Sequence, residues 1–191
     1  KAQKEAEDAG HYRLSNHYNQ SMSFAEEFDY PEAGNKPVGR ESLWVFMASQ
    51  ETSVVSPKMF DEFILSYQKP IMAEFGLVAY GCCEDLGRKI PMLKKIPNLR
   101  RVAVTPFADV KACAEQLGSD YICSWRPSPA DMVAYGFDED RVATAVREAT
   151  HAFRANNCRF DTCLKDVETV QGDVGRIRRF VDVVRRETED Y

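Results

Sequence analysis

Short apolar runs bounded by polar clusters recur at Leu43–Ala48, Leu77–Cys82, Val102–Val104, Tyr121–Trp125 and Phe160–Leu164. Such runs, rich in β-branched and aromatic residues and flanked by turn formers, predict strands buried on both faces. A weaker run at His11–Leu14 adds a sixth. Between them the apolar spacing changes to three and four residues. One set is Phe60, Phe63, Ile64, Tyr67, Ile71 and Phe75; others are Val110, Cys113, Ala114 and Leu117, then Val142, Ala145, Val146, Ala149 and Phe153, then Val174, Ile177, Val181 and Val184. Each set marks the buried face of a helix. Ser56 with Pro57, Asp109 and Asp138 stand where N-caps are needed, and Gly118 closes the helix that Asp109 opens. Pro70 predicts a kink, a helical pattern over Asp85–Ile96 is interrupted by Pro91, and Lys1–Ala9 reads as the end of a helix stopped by Gly10.

Strands alternating with helices imply parallel pairing through right-handed crossovers, hence an α/β fold. Gly76 and Gly81 do not build the glycine-rich phosphate turn of a doubly wound nucleotide-binding sheet. Polar residues instead stand at successive strand ends, as Asn16, Glu51, Cys82, Thr105, Arg126 and Lys165. That is the pattern of a (β/α)8 barrel, whose site lies where the strands end. About six parallel strands do not close it, so the expectation is a single domain over residues 1–191 forming part of a TIM-type barrel. Within it, residues 18–42 show no clear period and are expected to form a long covering loop.

Composition narrows the function classes. The 191 residues carry a net charge of −5, against the basic excess a nucleic-acid surface needs. The six cysteines fall mostly inside strand and helix patterns rather than in a loop-rich disulfide framework, so reduced thiols and a cytoplasmic address are expected. No stretch approaches the roughly 20 apolar residues of a membrane span, and no signal-peptide pattern opens the sequence, which begins at Lys1. Lys94, Lys95, Arg100 and Arg101 read as a solvated helix end that complements the helix dipole.

Tyr80-Gly81-Cys82-Cys83-Glu84, followed by Lys95-Ile96-Pro97-Asn98-Leu99-Arg100, resembles the uroporphyrinogen decarboxylase superfamily, especially its decarboxylase-like members grouped with corrinoid-dependent methyltransferases. Val55-Ser56-Pro57-Lys58-Met59-Phe60, Ala108-Asp109-Val110, Arg126-Pro127-Ser128-Pro129-Ala130 and Leu164-Lys165-Asp166-Val167 extend the resemblance in the same order. It implies that the chain is the C-terminal portion of a (β/α)8 barrel of nearly twice this length. It further implies methyl transfer between a small methylated substrate and a corrinoid cofactor on a partner protein. A tetrapyrrole decarboxylase is the alternative, and a barrel fragment or subunit without catalysis is a third. Zinc-containing methyltransferases of the family bind the metal through a His-x-Cys and a cysteine at the last strand. Here Tyr80 stands where the histidine would, and Cys163 lies near the second cysteine position.

Residue chemistry supplies the remaining candidates. Cys82 and Cys163, with His17 as a third ligand, form a possible zinc set; buried structural cysteine is the competing reading. Cys83 is expected on the opposite side of the strand from Cys82, in packing. Glu51, Glu84 and Asp166 are candidate general acids, or caps of the helices that follow them. Arg126 and Lys165 suit anionic oxygens, or structural ion pairs, and Asn16 and Tyr80 at their strand ends join them as candidate substrate contacts. An open parallel sheet exposes two edges, so a second copy or the missing N-terminal part of the barrel is the expected partner.

Overall fold

Each of the later apolar runs becomes one strand of a computed structural model that describes residues 40–189. The expected elements at Lys1–Ala9 and His11–Leu14, and the covering loop up to residue 39, lie outside the described residues; Arg40–Ser42 forms a 3-10 turn leading into the first strand. The strands are β1 (Trp44–Met47), β2 (Leu77–Tyr80), β3 (Leu99–Val104), β4 (Ile122–Trp125) and β5 (Arg159–Thr162). They form a five-stranded sheet in the order β1-β2-β3-β4-β5 with every pair parallel. Among the described residues the order never doubles back and shows no switch point of the doubly wound kind.

The crossovers carry α1 (Pro57–Phe60), a π-helical segment (Asp61–Leu65), α2 (Ser66–Met72), α3 (Ile90–Leu93), α4 (Val110–Leu117), α5 (Glu139–Ala155) and α6 (Gly175–Thr188). α3 packs on α4, α4 on α5 and α5 on α6, a continuous helical layer on one face of the sheet. Burial follows the strand period. Val45, Met47, Val78, Tyr80, Val102, Val104 and Cys123 are buried beneath that layer, against Phe60, Leu65, Met72, Leu117, Val146 and Phe153. The opposite face is mixed. Trp44 and Leu77 remain 46% and 37% exposed, and Arg101 grips Asp161 by two bonds of 2.8 and 2.6 Å, with Ser124 Oγ donating to the same carboxylate at 3.0 Å.

The caps act as their residues predict. Ser56, Asp109 and Asp138 accept from the backbone N–H of Met59, Ala112 and Arg141, and Gly118 ends α4 at φ +55°. Three elements differ from expectation. Pro70 does not end its helix but lies inside α2, and the carbonyl it would strike, four residues back, belongs to Ser66 at the junction with the π-helical segment. The Asp85–Ile96 pattern contracts to Ile90–Leu93, because the Asp85 carboxylate accepts from Gly87 N at 2.8 Å and holds the first residues in a turn. Strand β3 starts at Leu99, so Arg100 and Arg101 are strand residues, and Arg101 belongs to the polar face of the sheet. No helix among the described residues is long and apolar enough to cross a membrane.

Replacing Asp138 with alanine removes the acceptor for Arg141 N and is expected to cost about 1 kcal/mol, while Asp138→Ser retains most of it. Urea unfolding of the two variants beside the parent measures the difference.

Candidate functional site

Strand β2 delivers its end into a fixed loop. Tyr80 is buried on the helical side, where its hydroxyl donates to Gln68 Oε1 at 2.7 Å and meets Ser49 Oγ at 3.2 Å. Burial, reinforced by the charge of Glu84, pushes that hydroxyl above its ordinary value, so it stays protonated. Gly81 follows at φ +102°, and its N–H bonds Met47 O at 2.7 Å. A Cβ there would lie 2.4 Å from Leu86 Cδ1 and 2.9 Å from Ala103 Cβ, so both conformation and space demand glycine.

Glu84 then folds back. It is 3% exposed; Oε1 accepts from Ser49 N at 3.1 Å and Oε2 from Cys82 N at 2.9 Å, which ties the ends of β1 and β2 together. Arg126, at the end of β4, donates from Nη1 to Cys82 O at 2.6 Å. The Cys82 peptide is therefore held at both its N–H and its carbonyl. Lys89, buried nearby, donates to Thr52 O at 2.7 Å; burial lowers its affinity for the proton, and Glu84 and Asp85 oppose that.

The side chains beyond Gly81 meet those beyond β5. Lys165 donates to Cys82 Sγ and, at 3.1 Å, to Cys83 Sγ; the two sulfurs are 3.6 Å apart. Cys83 donates to Asp166 Oδ2 at 3.2 Å, and Lys165 lies 3.5 Å from the same oxygen. Burial works against the Lys165 charge, but the hydrogen bonds to Cys82 and Cys83 outweigh it and hold the ammonium above its usual range. Burial, with help from Asp166 and Cys82 and against Lys165, pushes the Cys83 thiol up to about 11. These groups line a cavity of about 350 Å³ with Arg126, Ser128, Asp131 and the apolar walls Pro106, Phe107, Pro127 and Pro129. A wider groove of about 550 Å³ adjoins it across Cys83 and Phe107, lined also by Gln50, Glu51, Ser53, Glu84 and Asp85.

Of the expected site residues, the structure brings Cys82, Arg126, Lys165 and Asp166 into the cavity and Glu51 and Glu84 to the groove beside it. Glu84 gives both oxygens to backbone donors. Tyr80 lies in the helical layer, and Asn16 and His17 fall outside the described residues. Cys163 lines neither cavity; among the described residues its sulfur bonds the neighbouring Leu164 carbonyl, at 3.7 Å. Cys83 is a correction: the strand ends at Tyr80, Gly81 breaks the alternation, and both thiols reach the same cavity. Ser49 and the Arg101–Asp161 pair also escaped the sequence reading, although Asp161 inside the run Phe160–Leu164 was a visible sign of a partner.

The described residues do not by themselves make a zinc site; His17, the third candidate ligand, lies outside them. Among the described residues no group of three or more His, Cys, Asp or Glu is placed to hold a metal ion. The ammonium of Lys165 donates to both thiols of the cavity, and a cation there would meet like charge. No known family model matches the chain, and no curated protein matches it.

Two outcomes follow from this geometry. Gly81→Ala is expected to cost about 2–4 kcal/mol in urea unfolding, from the strained φ and the overlap with Ala103. Cys83 in the native chain should alkylate with a midpoint near pH 11, against 9.0 for an ordinary thiol, read by iodoacetamide labelling and peptide mass across pH. Since the folded state holds that proton more tightly, the thiol's contribution to stability is whole below about pH 9 and fades as pH rises toward 11.

Proposed function

We propose that the chain carries the strand-end face of a (β/α)8 barrel enzyme and moves a methyl group between a small methylated substrate and a corrinoid held by a partner protein. The observation that carries the reading is the meeting of Cys82, Arg126, Lys165 and Asp166 from the ends of β2, β4 and β5 in one cavity with apolar walls. Barrel architecture is supported by the sequential parallel strand order and the single helical layer. Further strands, from residues outside those described or from a second copy, would continue the sheet beyond β1 and β5.

When a methyl group leaves oxygen, nitrogen or sulfur, the departing atom keeps the bonding pair and must be neutralised. Lys165 is the cationic donor at hand, held charged and in place by its two sulfur acceptors and by Asp166. Pro106, Phe107, Pro127 and Pro129 provide the dry surface a methyl group prefers. At about 350 Å³ the cavity lies at the small end of the range of roughly 300–1,000 Å³ typical of ligand sites, which favours a small substrate over a macrocycle. The adjoining groove, with Phe107 78% exposed at its edge, gives a planar cofactor an approach to the methyl group, and Glu51 stands there as a second acid. The corrinoid would supply the cobalt that accepts the methyl group; binding, orientation and proton supply fall to this chain.

The test is methylation of added reduced cobalamin, followed by absorbance, with a panel of methoxy, methylthio and methylamino compounds. Turnover is expected with at least one class, and Lys165→Met should lower kcat by about 10²–10⁴ while KM moves less. Release of carbon dioxide from uroporphyrinogen, with no cobalamin methylation, would replace this reading with the decarboxylase. Neither activity would leave a barrel subunit without catalysis.

A further inference from the structure

Adjacent thiols at a cavity wall, one of them bonded to an ammonium, have a chemistry that methyl transfer does not use. We propose that Cys82 and Cys83 form a reversible redox site that hydroperoxides oxidise to a disulfide between the two neighbouring residues. Cys82 Sγ accepts from Lys165, the setting in which a sulfur attacks as thiolate. Cys83 Sγ stands 3.6 Å away and carries its proton toward Asp166, as a resolving thiol should. Both sulfurs line the cavity and are open to a small oxidant, whereas Cys113, Cys123 and Cys158 are buried.

The steps balance with hydrogen peroxide as oxidant. The Cys82 thiolate attacks one peroxide oxygen; an S–O bond forms, the O–O bond breaks, and the departing hydroxide takes a proton from Lys165 to leave as water. Cys83 sulfur then attacks Cys82 sulfur; the S–S bond forms, the S–O bond breaks, and the second hydroxide leaves as water with the Cys83 proton. Two thiols lose two electrons, one peroxide becomes two waters, and Lys165 recovers its proton from solvent. Neighbouring Cα atoms lie about 3.8 Å apart, below the usual disulfide span of about 4.4–6.8 Å, so the ring is strained and readily reduced. Oxidation also changes both sulfur acceptors of Lys165, which couples this site to the proposed methyl transfer and rests on that reading only for its consequence.

The chain is treated with a small excess of hydrogen peroxide, quenched, unfolded in urea, blocked with N-ethylmaleimide and weighed intact and as peptides. The expected product takes up two fewer maleimides than the untreated chain, and the peptide that holds Cys82 and Cys83 is 2 Da lighter than its unblocked dithiol form, as two lost hydrogens require; dithiothreitol reverses it. Cys83→Ser should stop at a Cys82 sulfenic acid captured by dimedone. Lys165→Met should form the link about tenfold more slowly, the kinetic equivalent of one charge-assisted hydrogen bond, while Lys165→Arg retains most of the rate; circular dichroism checks that each variant is folded. Full alkylation of Cys82 and Cys83 after peroxide, or a link that uses Cys163, would overturn the proposal. Neither readout requires turnover, so the sulfur chemistry and the methyl-transfer reading fail or stand separately.

Discussion

One buried carboxylate organises the strand-end face. Glu84 gives one oxygen to Ser49 N and the other to Cys82 N, so the ends of β1 and β2 are joined by a side chain where the sheet ladder has stopped. Glu84 is itself 3% exposed, and leaving the two backbone N–H groups it serves unpaired would cost on the order of 1–3 kcal/mol each. Lys89, also buried, lies close enough to feel the charge of Glu84 and spends its own donor on Thr52 O. The result is a network in which strand ends, the turn after β1 and the entry to α3 all depend on one another. Cys82, Cys83 and the cavity wall inherit their positions from it.

Much of this architecture was legible in the sequence because its signals are local. The strand runs are short, apolar and bounded, and burial beneath a helical layer is what such runs provide; Val102, Val104 and Cys123 at full burial illustrate it, although the opposite face of the sheet is mixed and, among the described residues, not covered by a second layer of this kind. Ser56, Asp109 and Asp138 cap helices by reaching three residues ahead, a distance the sequence displays directly. The convergence of Arg126, Lys165 and Cys82 was also accessible, since parallel strands present all their C-termini on one side.

What escaped depends on exact backbone angles or on partners far away in the chain. Cys83 seemed to face away from Cys82 because alternation was carried one step too far; the positive φ of Gly81 ends the strand rule before the cysteines begin. Asp85 looked like a helix start, yet its carboxylate found Gly87 N two residues on and delayed the helix. Arg101 and Asp161 are 60 residues apart, and their bidentate pair forms across β4, whose register sets Asp161 level with Ser124 and Ala103, two residues on from Arg101 and on the same face. A side chain that serves as an acceptor for distant backbone, as Glu84 does for Ser49, leaves no periodic mark at all.

The charge arrangement decides which chemistry the cavity favours. Cys82 alone resembles half of a metal site, but its sulfur accepts from the Lys165 ammonium, which lies 3.5 Å from Asp166. A divalent cation entering here would have to displace Lys165 or be repelled by it, at an unfavourable Coulomb energy of about 2 kcal/mol per unit charge at 8 Å even with an effective dielectric of about 20. A substrate whose leaving atom becomes negative meets the opposite situation, for the same lysine then stabilises the transition state without any further reorganisation. Two adjacent sulfurs, a held ammonium and apolar walls in one cavity are the features on which both the proposed methyl transfer and the proposed sulfur oxidation rest.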